Sequence, residues 1–143
     1  METIFSLLNL MALLGWLVLF IFYPKQWVYT LLFSGLITAL ALTYIYFIIH
    51  GLGEGDGGFG SLAEVAALFQ HDEALMAGWI HYLAFDLFVG MWITKDASDR
   101  GINRWLILPC LALTFMFGPV GLLTYLLLRI IKTKKFVQSP FIQ

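Results

Sequence analysis

Four apolar runs, at about residues 4–23, 27–50, 74–95 and 103–131, take up most of the 143 residues of this chain. Each is close to the ~20 residues that a helix needs to cross ~30 Å of hydrocarbon. Inside lipid a backbone finds no water, so only structures that bond their own N–H and C=O groups can span it. The expected fold is therefore all-α: one polytopic membrane domain, residues 1–143, with four transmembrane helices in a bundle. Composition points the same way, with 61% hydrophobic and 12% charged residues, against about 45–50% and about 25% in soluble domains. The net charge of −1 offers no basic stripe of the kind nucleic acid selects, so no nucleic-acid partner is expected. A single cysteine, Cys110, lies in an apolar run and leaves no disulfide framework. The first run carries Glu2 where a secretory leader is positive, and it is too long for a leader core, so it reads as a retained first span.

The joins between runs carry their own signals. Pro24-Lys25-Gln26 is short enough to demand an antiparallel pair of spans. Residues 51–60, GLGEGDGGFG, read as a flexible glycine-rich connector. Ser61 with Glu64 three residues on is a capping box, which predicts a short amphipathic helix at the membrane interface between the second and third spans. The fourth run is longer than one crossing needs and holds Pro109 and FGPVG, residues 117–121, where a kink or a break is expected. With four crossings, Lys25, Lys95, Arg100 and Arg104 fall on one side and Arg129, Lys132, Lys134 and Lys135 on the other. That tie leaves the orientation open. So does the oligomeric state stay open: no G-x-x-x-G interface stands out, although bare apolar faces suit a homo-oligomer.

Asp86 is the one formal charge at mid-depth of a run, where insertion costs about 2.5–3.5 kcal/mol. A carboxyl kept neutral there can donate a proton, which is what a general acid must do. The competing reading is a carboxyl tied to a neighbour as helix glue. Asp86 shares a helical face with Trp79, Tyr82, Gly90 and Ile93, whereas His81 lies about 140° around the helix. Asn9, Thr38, Thr43, Tyr44 and Tyr125 read first as interhelical hydrogen-bonding groups. Glu64 and His71–Glu73 either close a pocket mouth or are solvated, and Lys95–Arg104 reads as a solvated turn with helix caps. The histidines His50, His71 and His81 form no close pair, so no metal site is expected. The glycine run follows no strand and does not suit a phosphate. Chemistry in this chain should be cofactor-free acid–base work on a lipophilic molecule.

Two stretches, WIHYLAFDLFVGMWI at 79–93 and LPCLALTFMFGPVGLLTYLLLR at 108–129, resemble the small membrane family named after the plant abscisic-acid-deficient-four protein. The resemblance covers most of the chain from about Pro24; Met91 stands where the family pattern is associated with an arginine. What it implies is an intramembrane, isomerase-like step on a carotenoid, of the kind that forms neoxanthin from violaxanthin. Opening the epoxide to an allene and a tertiary alcohol needs one acid and one base, and Asp86 and His81, in either order, are the residues implied. Trp79, Tyr82, Glu64, Tyr44 and Asn9 are the implied contacts to the polyene. The implied setting is a bacterial inner membrane or, in a eukaryote, a plastid envelope, with membrane lipids and a pathway enzyme as possible partners. Two other classes stay open: a non-catalytic protein that binds a carotenoid, retinoid or other lipid, and a small transporter or proton channel.

Overall fold

A computed structural model describes residues 1–23, 25–51, 57–136 and 139–140; Pro24 and residues 52–56 of the glycine-rich connector lie outside the described residues. Among those described there are six helices and no strand. They are α1 (Glu2–Phe22), α2 (Gln26–Gly51), α3 (Leu62–Leu68), α4 (Asp72–Asp99), α5 (Arg104–Phe117) and α6 (Pro119–Thr133). Three of them, α1, α2 and α4, are long and apolar enough to cross a membrane. α2 widens to a π-helical stretch at Leu31–Ile37.

α4 is the axis on which the rest is hung. α1 runs parallel to it, with Phe5 against Trp79 near one end (5.5 Å between rings) and Trp16 packed over Gly90 farther along. α2 runs antiparallel: the Tyr29 hydroxyl donates to Thr94 Oγ1 (3.1 Å), the Phe33 ring meets Phe88, and Tyr44 lies beside His81. The short helix α3 forms where the capping box predicted it. Ser61 Oγ accepts from the Glu64 amide (3.2 Å), and Glu64 Oε2 accepts from the Gly60 amide (2.9 Å).

The fourth expected span is not one helix, and the four-span bundle changes with it. The chain breaks at Gly118, whose φ of +45° lies in the left-handed region that glycine enters without a Cβ penalty. Pro119 then opens α6, in a first turn where its missing N–H costs nothing. α5 approaches along α4 until the Tyr82 hydroxyl reaches its last turn, and α6 turns back along the same stretch, with Tyr125 and Arg129 meeting Asp96. Both helices therefore enter and leave at one end of the bundle and cover only the part of α4 from about Tyr82 to Asp99. A 14-residue helix is about 21 Å long at 1.5 Å per residue, short of the ~30 Å of a hydrocarbon core. Hydropathy sums the apolar content of a run and does not register that the chain has reversed within it.

The core divides accordingly. Around Trp16, Leu19, Leu87, Ile93, Ile107, Leu111 and Tyr125 the hairpin joins the three long helices; around Leu8, Leu40, Phe47, Ala77 and Ile80 only the long helices meet. Gly121 is what lets α5 and α6 close on each other, because a Cβ there would overlap the Thr114 amide nitrogen and the Cys110 carbonyl. Backbone atoms cannot rotate aside as a side-chain tip can. Gly121→Ala is thus expected to exceed the about 1–3 kcal/mol of ordinary overpacking, read as a lowered midpoint of thermal unfolding in detergent.

Charge follows the same division. All eight lysines and arginines lie where α1 and α4 end and the hairpin begins and finishes: Lys25, Lys95, Arg100, Arg104, Arg129, Lys132, Lys134 and Lys135. Glu2, Glu64, Asp72 and Glu73 lie at the opposite end. The tie of four against four assumed that the last run crosses; with the reversal at Gly118 it becomes eight against none.

Candidate functional site

Successive turns of α4 place Leu75, Trp79, Tyr82 and Asp86 on one face, at the i, i+3 and i+4 spacing of a helix. At the top of this row the Asp86 carboxyl lies against Gly118, where a Cβ would come 2.6 Å from Oδ1. Its Oδ2 is out of reach of solvent and accepts no hydrogen bond among the described residues. Buried polar atoms are nearly always paired, so an orphan oxygen at this depth asks for an explanation.

Tyr82 explains how the hairpin tip is held. The carbonyl of Phe115 should bond the amide four residues on, but that residue is Pro119 and has no N–H. The Tyr82 hydroxyl supplies the missing donor, to the Phe115 carbonyl at 3.0 Å and to that of Met116 at 3.2 Å. Tyr82→Phe strands these carbonyls, and a loss of about 1–3 kcal/mol in stability is expected, measurable by unfolding of the detergent-solubilised protein. One turn below, Trp79 Nε1 donates to Asn9 Oδ1 (3.1 Å), and Asn9 Nδ2 donates to the Phe5 carbonyl (2.7 Å). The Trp79 ring also meets those of Tyr82 and Phe5. Below that, a cavity of about 250 Å³ opens between Glu2 and Phe5 of α1 and Asp72, Leu75 and Trp79 of α4.

Four of the residues singled out from the sequence thus form one row: Asn9, Trp79, Tyr82 and Asp86. His81, Tyr44 and Glu64 stand elsewhere. His81 is on an outward face, stacked on Phe85 (4.4 Å between centroids) and 6.0 Å from the Tyr44 ring. It therefore faces other neighbours than Asp86 does. Glu64 is engaged in capping α3, at the acidic end. Thr38 and Thr43 bond carbonyls of their own helix.

Sequence reasoning missed the strongest polar cluster. Asp96, 4% exposed, sits in the stretch read as a solvated turn, and Arg129, 5% exposed, was read as a flanking charge. Asp96 accepts from the Arg100 Nε on both its oxygens at 2.9 Å and from the Tyr125 hydroxyl at 2.6 Å, and the Arg129 Nε stands at ion-pair distance, 3.1 Å, without a hydrogen bond. Arg129 also lies 5.8 Å from the Trp92 ring centroid. The cluster fastens α6 to α4, three turns of α4 away from Asp86. A usable signal was present: Tyr125 and Arg129 are four apart in an otherwise apolar stretch, so they share a helical face. The Lys95–Asp99 pair nearby is more exposed than Asp96 and Arg129. Among the described residues no three His, Cys, Asp or Glu side chains gather as metal ligands.

Compared with known proteins, the chain matches the family model described as ABA DEFICIENT 4-like over residues 3–125. No curated protein and no solved structure matches it.

Proposed function

Because the chain belongs to the ABA DEFICIENT 4-like family, which implies a carotenoid function related to neoxanthin synthesis, we propose that it is a membrane-embedded, cofactor-free isomerase of a carotenoid-like polyene, with Asp86 at the reacting end. The observation that carries this reading is the Asp86 carboxyl, half-buried at the hairpin tip with its Oδ2 shielded from solvent and unpartnered among the described residues. A protonated carboxyl there gives its proton to an epoxide oxygen as the C–O bond opens. Its other oxygen then takes a proton from the adjacent chain carbon, so that an alcohol and a new double bond form and the acid is restored. Nothing is oxidised or reduced. His81, the other candidate for a proton-transfer role, faces Phe85 and Tyr44, and in this reading both transfers belong to Asp86.

The experiment is co-expression in hosts that make epoxidised or non-epoxidised carotenoids, with pigments separated by chromatography. A new pigment that appears with the inserted protein is expected in at least one background. An unchanged profile in all of them removes the isomerase and leaves an accessory or carrier protein.

The membrane arrangement belongs to the same proposal. α1, α2 and α4 cross the bilayer, and α5–α6 dips in and returns on the side of the eight cations, which the positive-inside rule makes the cytoplasmic side or its equivalent. Three crossings put the start of α1 and the end of α6 on opposite sides, whereas four put them together. Compartment-sensitive reporters fused at Met1 and after Phe136 should therefore report opposite compartments. Reports from the same compartment end this arrangement.

A further inference from the structure

We propose that the part of the α1–α4 surface left bare by the hairpin is a binding groove for an elongated, uncharged lipophilic molecule with a hydrogen-bonding head. It is open at the acidic end of the bundle and closed at Asp86. The proposal rests on the reading of Asp86 as the reacting group, and adds where the substrate lies, from which leaflet it arrives and what charge it bears.

The two helices run parallel, so their matching faces form one strip. On α1 it carries Phe5, Asn9, Trp16 and Phe20; on α4 it carries Leu75, Trp79, Tyr82 and Asp86. α5 fills the upper part of that strip. Phe115 packs edge-on to Trp16 (5.7 Å), and Arg104 donates to the Phe20 carbonyl (3.1 Å). Tyr82, bonded to the last carbonyls of α5, marks where this cover stops. Below it Phe5, Leu75 and Trp79 are 37%, 53% and 37% exposed. The wall is nevertheless ordered, because the Trp79–Asn9 hydrogen bond fixes the indole and three rings stand in series. From Asp72 to Tyr82 the bare strip is ten helical rises, about 15 Å, with Asp86 one turn further under the hairpin tip, which suits an extended chain whose head passes beneath the tip.

Charge decides which kind of chain. Glu2 and Asp72 stand at the mouth with the Met1 amino group, so carboxylates outnumber the one cation there, and all eight lysines and arginines are at the other end. An anionic head, whether a fatty carboxylate or a phosphate, would pass two carboxylates and finish at a third. A neutral hydroxyl or epoxide instead meets Asp86 as a hydrogen-bonding partner. Access from the basic end is closed by the Asp96 cluster and the packed hairpin. The molecule is thus a polyene or prenyl-type alcohol or epoxide that arrives from the leaflet at the acidic end.

The test uses the full chain in phosphatidylcholine nanodiscs and tritiated all-trans-retinol, a ring-bearing neutral polyene alcohol, with retinoic acid as its anionic counterpart. Saturable retention of retinol above that of empty discs is expected, with retinoic acid at least tenfold weaker. Leu75→Trp, which fills the groove, should weaken retinol at least tenfold. Leu42→Trp, an equal bulk on the outward face of α2 where Leu42 is exposed, should change it less than twofold. Reversing the mouth with Glu2→Lys and Asp72→Lys should bring retinoic acid close to retinol. Equal retention by wild type and Leu75→Trp overturns the groove, and so does equal binding of the two ligands by wild type. The two readings fail separately. Saturable, Leu75-sensitive binding without pigment conversion keeps the groove and removes the isomerase, whereas conversion that survives Leu75→Trp keeps the isomerase and removes the groove.

Discussion

Asp86→Asn is expected to lower conversion of the polyene about a hundred- to ten-thousand-fold, the range that a positioned general acid or base supplies, while the protein stays inserted and folded. Asparagine keeps the size of the carboxyl and its place against Gly118, so the hairpin tip has no reason to move. What it loses is the exchangeable acid proton and the basic oxygen that the proposed step uses in turn. The measurement is pigment formed per inserted protein, compared for wild type, Asp86→Asn and His81→Ala. His81→Ala should cost far less, because that ring stacks on Phe85 at an outward face rather than joining the row that ends at Asp86. Full activity in Asp86→Asn would demote the carboxyl to a structural group. A loss in His81→Ala as deep as in Asp86→Asn would restore the two-residue mechanism implied by the family resemblance.

Asp96→Ala should cost about 3–5 kcal/mol, the penalty for stranding a buried charge by removing its partner. One carboxylate answers two guanidinium groups and the Tyr125 hydroxyl, and both Asp96 and Arg129 are almost wholly buried. Removing it leaves Arg129 inside the hairpin–α4 interface facing Trp92 and no anion. The double change Asp96→Leu with Arg129→Leu should recover a large part of the loss, since apolar replacements of buried pairs are often near neutral. The midpoint of unfolding in detergent for the single and double variants measures both effects. A single-variant loss below about 1 kcal/mol, as for a surface pair, would mean that the cluster is solvated and does not fasten α6 to α4.

Much of this molecule was legible before any coordinates. The three spanning helices follow from uninterrupted apolar runs, because lipid leaves a backbone no choice but to bond itself. The start of α3 follows from Ser61 and Glu64, whose bonds involve only near neighbours. Asp86, Tyr82 and Trp79 were legible as one face because helical spacing alone makes them so, and Asn9 joins them through its bond to Trp79. The pairing of Asp86 with His81 was not decided by spacing, and the fold turned the two to different neighbours.

What composition and periodicity determined, then, is an all-helical chain with three helices fit for lipid and an acid at mid-depth of the third. Whether the last run crosses or returns was decided only in three dimensions. Its apolar content is the same either way, and the difference rests on Gly118 at positive φ, Gly121 at a backbone contact and Asp96 gripping a helix some thirty residues later in the chain. Those interactions join positions far apart in sequence, so no local pattern records them. On that single reversal depend the gathering of every lysine and arginine at one end and the bare part of the α1–α4 face beneath Asp86.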